Sequence, residues 1–219
     1  MKRIIAHWAV TKYKATTLAK HHYHFVVEGD GTIVNGEFDV EANIKPVTGK
    51  YAAHTLSCNT GSIGISCAAM YGAKSVTDYG EYPITAKQFE SMCNKIAELC
   101  IKYGILVNDK TVLTHAEVEK NLGIKQRGKW DIAVLPFANL KTASECGWFM
   151  RKRVKELIIQ KTEKKPAPVY IPAPVYIPAP KPSPTVNKKT IAIVTGGTAI
   201  AAGSISFWDK LSNWFTGWF

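Results

Sequence analysis

A proline-dense block with an internal repeat divides this chain. Pro166–Ile171 and Pro172–Ile177 are the same hexapeptide, Pro-Ala-Pro-Val-Tyr-Ile, and Pro178-Ala179-Pro180-Lys181-Pro182-Ser183-Pro184 follows at once. Proline fixes φ and removes a backbone donor, so at this density neither helix nor sheet can run through the segment. The block is expected to be an extended polyproline II spacer, rising ~3.1 Å per residue and semi-rigid. Any folded unit must close before it, and whatever follows is a separate body. The reading is therefore 1–160 as a globular domain, 161–189 as a Pro-rich linker and 190–219 as a hydrophobic, Trp-rich tail.

The tail carries an uncharged run from Thr190 to Trp208. As a helix it would be roughly 27 Å long at 1.5 Å per residue, close to the ~30 Å hydrocarbon thickness of a bilayer. Gly197 with Ala201, and Ala199 with Gly203, place small residues at four-residue steps that suit close packing in lipid. Phe207, Trp208, Leu211, Trp214, Phe215, Trp218 and Phe219 are read as one helical side, and Trp favours the membrane interface. A C-terminal helix that associates with a membrane is the expectation, with a hairpin folding back on the domain as the plainer alternative.

The formal net charge is +11, which favours a polyanionic partner such as nucleic acid, anionic lipid or the bacterial envelope. The lysines are scattered and no reading helix or RNA-binding signature is present, so nucleic acid is not expected. The five cysteines, Cys58, Cys67, Cys93, Cys100 and Cys146, form neither a Cys-x-x-Cys clip nor a disulfide framework. They read as free, buried thiols of a reducing compartment. Met1-Lys2-Arg3-Ile4-Ile5-Ala6 imitates a signal peptide, but His7, Lys12 and Lys14 interrupt it before an apolar h-region of ~7–15 residues is reached. Synthesis in the cytoplasm without a signal peptide follows.

Within residues 1–160 the pattern is mixed α/β. Arg3–Ala9 reads as a strand; Tyr23–Val27 and Thr32–Gly36 read as a hairpin around Gly29-Asp30-Gly31. Ser62–Met70 is a buried strand, and Thr111–Thr114 is a strand running into His115. Thr85 and Gln88 form a capping box, Phe89, Met92, Cys93, Ile96, Leu99, Cys100 and Tyr103 make one apolar face, and Gly104 ends that helix. Trp148–Gln160 is a second, basic amphipathic helix.

Chemistry enters with His7 and His115, each where an apolar strand ends, and the carboxylate of Asp131. Two imidazoles and one carboxylate make a three-ligand zinc set with a fourth position open for water. Taken singly, a strand-end histidine is more often a satisfied polar residue than a ligand. The ordered set carries the weight: His7; Tyr23-His24-Phe25-Val26-Val27 with Gly29-Asp30-Gly31; His54 and Asn59; Ser62-Ile63-Gly64-Ile65; Thr114-His115; and Lys129-Trp130-Asp131. Over roughly residues 3–137 this order resembles the type 2 N-acetylmuramoyl-L-alanine amidase family, which shares its fold with peptidoglycan recognition proteins and includes phage endolysins.

The resemblance implies a mixed β-sheet flanked by helices, a zinc cofactor held by His7, His115 and Asp131, and hydrolysis of the amide between N-acetylmuramic acid and L-alanine. It implies that Lys129 faces the scissile carbonyl, that Tyr23 is the tyrosine of the phage branch, and that His54 and Asn59 contact the glycan or peptide. A phage or prophage endolysin is the expected setting, acting in the periplasm or wall and released by a separate holin-type lysis protein. A non-catalytic peptidoglycan-binding module with a membrane-anchoring tail is the alternative.

Three departures stand out. Ser66 occupies the position where one branch carries a Glu, which leaves Tyr23 as the side chain for base duty. Trp8 and Trp130 are bulkier than the residues usual there. The link from His7 to Tyr23 is short for the helix the family places in it, so one groove wall is expected to be open. His21, His22 and His24, read as strand neighbours, alternate between faces and cannot share one ion.

Overall fold

The computed structural model describes residues 1–163, so the expectations for the Pro-rich block and the tail lie outside the described residues. Five strands form one mixed sheet: β1 (Arg3–Trp8), β2 (Phe25–Val27), β3 (Ile33–Asn35), β4 (Ser62–Cys67) and β5 (Val112–Thr114). Their spatial order is β3-β2-β4-β1-β5. β1 runs parallel to β4 and β5, β2 runs parallel to β4, and only the edge strand β3 is antiparallel. The expected mixed sheet with helices around it is the architecture found.

Side-chain alternation decides what each face does, because successive strand residues point to opposite sides. From β4, Ile63, Ile65 and Cys67 enter the main apolar core, and from β1 Ile4, Ala6 and Trp8 join them. The residues in between, Ser62, Gly64 and Ser66 on β4 and Ile5 and His7 on β1, belong to the other face. Since His7 pairs in register with Ser66, polar groups gather at one level of that second face.

Two long helices cover the apolar face, α2 (Ala86–Tyr103) and α4 (Ala143–Glu163). α2 begins at the expected capping box of Thr85 and Gln88 and stops at Gly104, whose φ of 63° is a left-handed cap. It buries Phe89, Met92, Cys93, Ile96, Ala97, Leu99 and Cys100, the stripe anticipated from three- and four-residue spacing. Each large side chain fully buried there contributes ~1.5–3 kcal/mol relative to exposure. All five cysteines are free and buried.

α4 begins five residues earlier than Trp148, at Ala143. Its early turn includes Gly147, where an added Cβ would run into the carboxylate of Glu117. That carboxylate is held by Arg151 (2.8 and 2.9 Å) and accepts the Thr114 N–H (3.0 Å), tying α4 to the end of β5.

Two shorter helices cover parts of the other face and were not expected. α1 (Thr17–His22) fits between β1 and β2, with the Thr16 hydroxyl accepting the Ala19 N–H. The link from His7 to Tyr23 therefore does hold a helix, of six residues. His21 and His22 lie on α1 and not on a strand. The three rings still go to different partners: His21 to Glu37, His22 to the Ala53 carbonyl and His24 to the Gly64 N–H. α3 (His115–Leu122) starts directly where β5 ends and closes at Gly123. Among the described residues, no helix is long and apolar enough to cross a membrane.

Candidate active site

The polar face of β1 supplies His7, fully buried. The junction of β5 and α3 supplies His115, also buried. Asp131 reaches them from the loop after α3, and its carbonyl accepts the Ala116 N–H, fastening that loop to the first turn of α3. One carboxylate oxygen, Oδ2 of Asp131, lies 2.9 Å from His7 Nδ1 and 3.1 Å from His115 Nδ1. The potential ligand atoms of all three side chains lie within 4.8 Å of one another.

In a tetrahedral zinc site with bonds of about 2.0–2.1 Å, neighbouring donors stand roughly 3.3 Å apart. The separations of 2.9 and 3.1 Å are close to that spacing. Two imidazole nitrogens and one carboxylate oxygen are also a common donor set for catalytic zinc. The residues present fit the ion.

Local electrostatics favour a neutral His7 and an ionised Asp131. Burial lowers the His7 pKa to about 4 against the opposing pull of Asp131, so the ring is neutral near pH 7. For Asp131, burial alone would raise the pKa, but hydrogen bonds with His115 and His7 hold it at about 2. Outer partners orient the rings: His115 Nε2 lies 2.8 Å from Gln126 Oε1, and His7 Nε2 lies 3.4 Å from the Thr55 hydroxyl.

The remaining expected residues surround this set at different depths. Tyr23 caps the end of α1, with its ring centre 5.0 Å from that of His7. Burial and the nearby Asp131 charge push its phenol upward in pKa, and a hydrogen bond with Ser66 offsets this only in part. Lys129 is exposed, and its charge adds to the forces keeping His7 unprotonated.

His54 is buried, 5.3 Å from the His7 ring centre, and its ring covers Gly64 so closely that a Cβ there would sit 2.5 Å from His54 Cγ. Burial and the neighbouring His7 and His24 hold His54 well below the usual histidine pKa. Asn59 Oδ1 accepts the N–H groups of His54 (3.1 Å) and Thr55 (2.8 Å), so this side chain shapes the turn that carries them.

Trp8 and Trp130 prove to be one feature. Their rings meet edge to face, 4.7 Å apart at 77°, an arrangement in which each accommodates the bulk of the other. Gln126 and Thr55 were not anticipated. Gln126 sits in a charged, Gly-containing loop with no periodicity to mark it, and Thr55 was hidden beside the more conspicuous His54.

Comparison with known proteins places this chain in a family. The family model for N-acetylmuramoyl-L-alanine amidases matches residues 1–131, from the first residue to the aspartate of the site. The chain belongs to that family. No curated protein matches it. Among solved structures, the hydrolase AmiA of Staphylococcus aureus in complex with its ligand is similar at 14% identity and a TM-score of 0.49, over 74% of this chain and 75% of that one. Bumblebee PGRP-SA is similar at 16% identity and a TM-score of 0.39, over 66% and 78% respectively.

Proposed function

We propose that this chain is a zinc-dependent N-acetylmuramoyl-L-alanine amidase that cleaves the amide between N-acetylmuramic acid and the L-alanine of the stem peptide. The observation that carries the reading is the convergence of His7, His115 and Asp131 on one point, in a chain whose family match spans all three. Zinc held there would lower the pKa of a water toward ~7 and polarise the scissile carbonyl.

The chain's own residues supply the rest. His7 is already neutral and Asp131 already ionised, so ligation through His7 Nδ1 needs only that the ring's proton move from Nδ1, which faces Asp131, to Nε2. Lys129, exposed beside the set, is free to approach the carbonyl oxygen as negative charge develops on it. Tyr23 keeps its proton at neutral pH, which suits a hydrogen-bond or proton donor better than the base anticipated from sequence. His54, beside His7, and Asn59, which holds the turn carrying His54 and Thr55, are the side chains proposed to contact the glycan or peptide.

The setting we propose is lysis of a bacterial host by a phage or prophage. Here the basic charge concentrates the enzyme at an anionic envelope, the tail engages a membrane, and a holin-type protein provides the route outward. The competing reading, a binding module without catalysis, has no use for a buried cluster of two histidines and an aspartate that fits zinc. Release of soluble stem peptides from purified walls by wild type, His115→Ala and Asp131→Ala separates the two. Activity in the wild type that vanishes in both variants is expected; equal release by all three would refute the proposal.

A further inference from the structure

We infer that the outward face of α4 is a docking surface for an anionic lipid membrane, so that the folded domain itself meets the bilayer. α4 turns one side to the core, burying Cys146, Met150, Val154 and Leu157. At 3.6 residues per turn, Trp148, Lys152, Lys155 and Ile159 fall within about 60° of one another on the opposite side. All four are exposed, Trp148 by 60% and Ile159 by 53%, so neither apolar side chain serves the core. Lys120 of α3 extends the stripe at its start, with Nζ 3.4 Å from Ser144 Oγ, one turn before Trp148.

Charge on this helix is sorted by face. The arginines are tied to neighbouring helices, Arg151 to Glu117 of α3 at 2.8 Å and Arg153 to Glu90 of α2 at 2.6 Å. Among the described residues, Lys152 and Lys155 enter no ion pair. Between Glu145 and Glu163 the helix holds one acid, Glu156, which Arg153 balances at 3.0 Å. Glu145, beside the stripe, accepts the Thr142 hydroxyl at 2.8 Å. The outward stripe is therefore cationic and apolar at once. Lys152 Nζ stands 5.5 Å from the centre of the Trp148 ring, which sets ammonium and indole side by side. A hydrated polyanion would use the lysines and leave Trp148 and Ile159 without a role. A bilayer uses both, because lipid phosphates attract ammonium groups and indole favours the headgroup level. The hydrophobic tail proposed to engage a membrane also follows, in sequence, the helix that bears this face.

The inference is independent of the zinc chemistry, and the full chain tests it. Lysine acylation read by mass spectrometry is compared without vesicles and with vesicles of phosphatidylcholine containing phosphatidylglycerol. Lys152 and Lys155 should become several-fold less reactive, while Lys50, exposed on the loop leading to His54, keeps its reactivity. Partitioning into the same vesicles should fall about tenfold or more in the double variant Lys152→Glu/Lys155→Glu, since each lysine near the surface is worth roughly fivefold. Trp148→Ala should weaken it by a smaller factor. All three side chains are exposed, so both variants should unfold at the wild-type denaturant concentration. A chain that stays off these vesicles, or one that binds them with Lys152 and Lys155 as reactive as before, would overturn the inference. Equal protection of both lysines by soluble polyphosphate, unchanged in Trp148→Ala, would also overturn it and assign the face to a polyanion.

Discussion

The two faces of one sheet divide the labour of this domain. On the helix-covered side, Ile4, Ala6, Ile63, Ile65 and Cys67 meet α2 and α4 in a continuous apolar layer. On the other side, one residue along in the same strands, stand His7, Gly64 and Ser66, joined by Tyr23, His54, His115 and Asp131. The first face obtains its free energy from removing apolar surface from water. The second buries polar groups, each of which costs free energy unless hydrogen-bonded. A polar face this deep is tolerated because the apolar one holds the sheet, and it is retained because the chemistry requires it.

That division can be broken from either side. The largest effect is expected on the polar face: Asp131→Ala removes one of the three groups proposed to hold zinc, and the negative charge among them. Loss of several kcal/mol of transition-state stabilisation lowers wall hydrolysis about a thousandfold or more. The unfolding midpoint measured in chelator should move by only a few degrees.

On the apolar face the pattern reverses. Ile63→Ala, at a fully buried position, is expected to cost about 2–5 kcal/mol in chemical denaturation. Zinc stoichiometry and activity per folded molecule should remain at the wild-type level.

Acid should act through the polar face. His7 and His24 have folded pKa values of about 4, lowered chiefly by burial, against an ordinary value of ~6.5. Between those values the unfolded chain binds more protons than the folded one. The zinc-free protein therefore loses stability as pH falls from ~6.5 toward 4, by on the order of 3 kcal/mol per histidine. Denaturation as a function of pH checks this. His24→Gln should flatten the profile, whereas Met92→Ala should lower it at every pH without changing its slope.

The smallest change is a single methyl group. Gly64→Ala places a Cβ 2.5 Å from His54 Cγ, and the His54 ring is bonded to the Thr55 hydroxyl at 2.8 Å, which limits its retreat. Overpacking of about 1–3 kcal/mol is expected, with reduced hydrolysis because His54 lies against His7. A methyl accepted there without loss of stability would mean that the polar face is looser than its hydrogen bonds suggest.

Legibility from sequence followed the same division. Strands and α2 were readable because period-2 and period-3.6 apolar patterns report directly on burial against the helix-covered face. The cluster of His7, His115 and Asp131 was readable because the ordered motifs carry it. Elements on the polar face were not. α3 was missed although Thr114 and Glu117 have capping-box spacing, since eight residues give too little periodicity to stand out beside a ligand motif. α1 was missed for the same reason, its six residues burying only Ala19. Gln126 had no pattern at all, because its place beside His115 depends on where the Leu56 and Ile124 carbonyls meet in space.

The most direct test of the account is anomalous scattering at the zinc edge from crystals grown with zinc. The account predicts one peak within bonding distance of His7 Nδ1, His115 Nδ1 and an Asp131 carboxylate oxygen. A zinc peak bound elsewhere, or none at a position shared by these three residues, would contradict it.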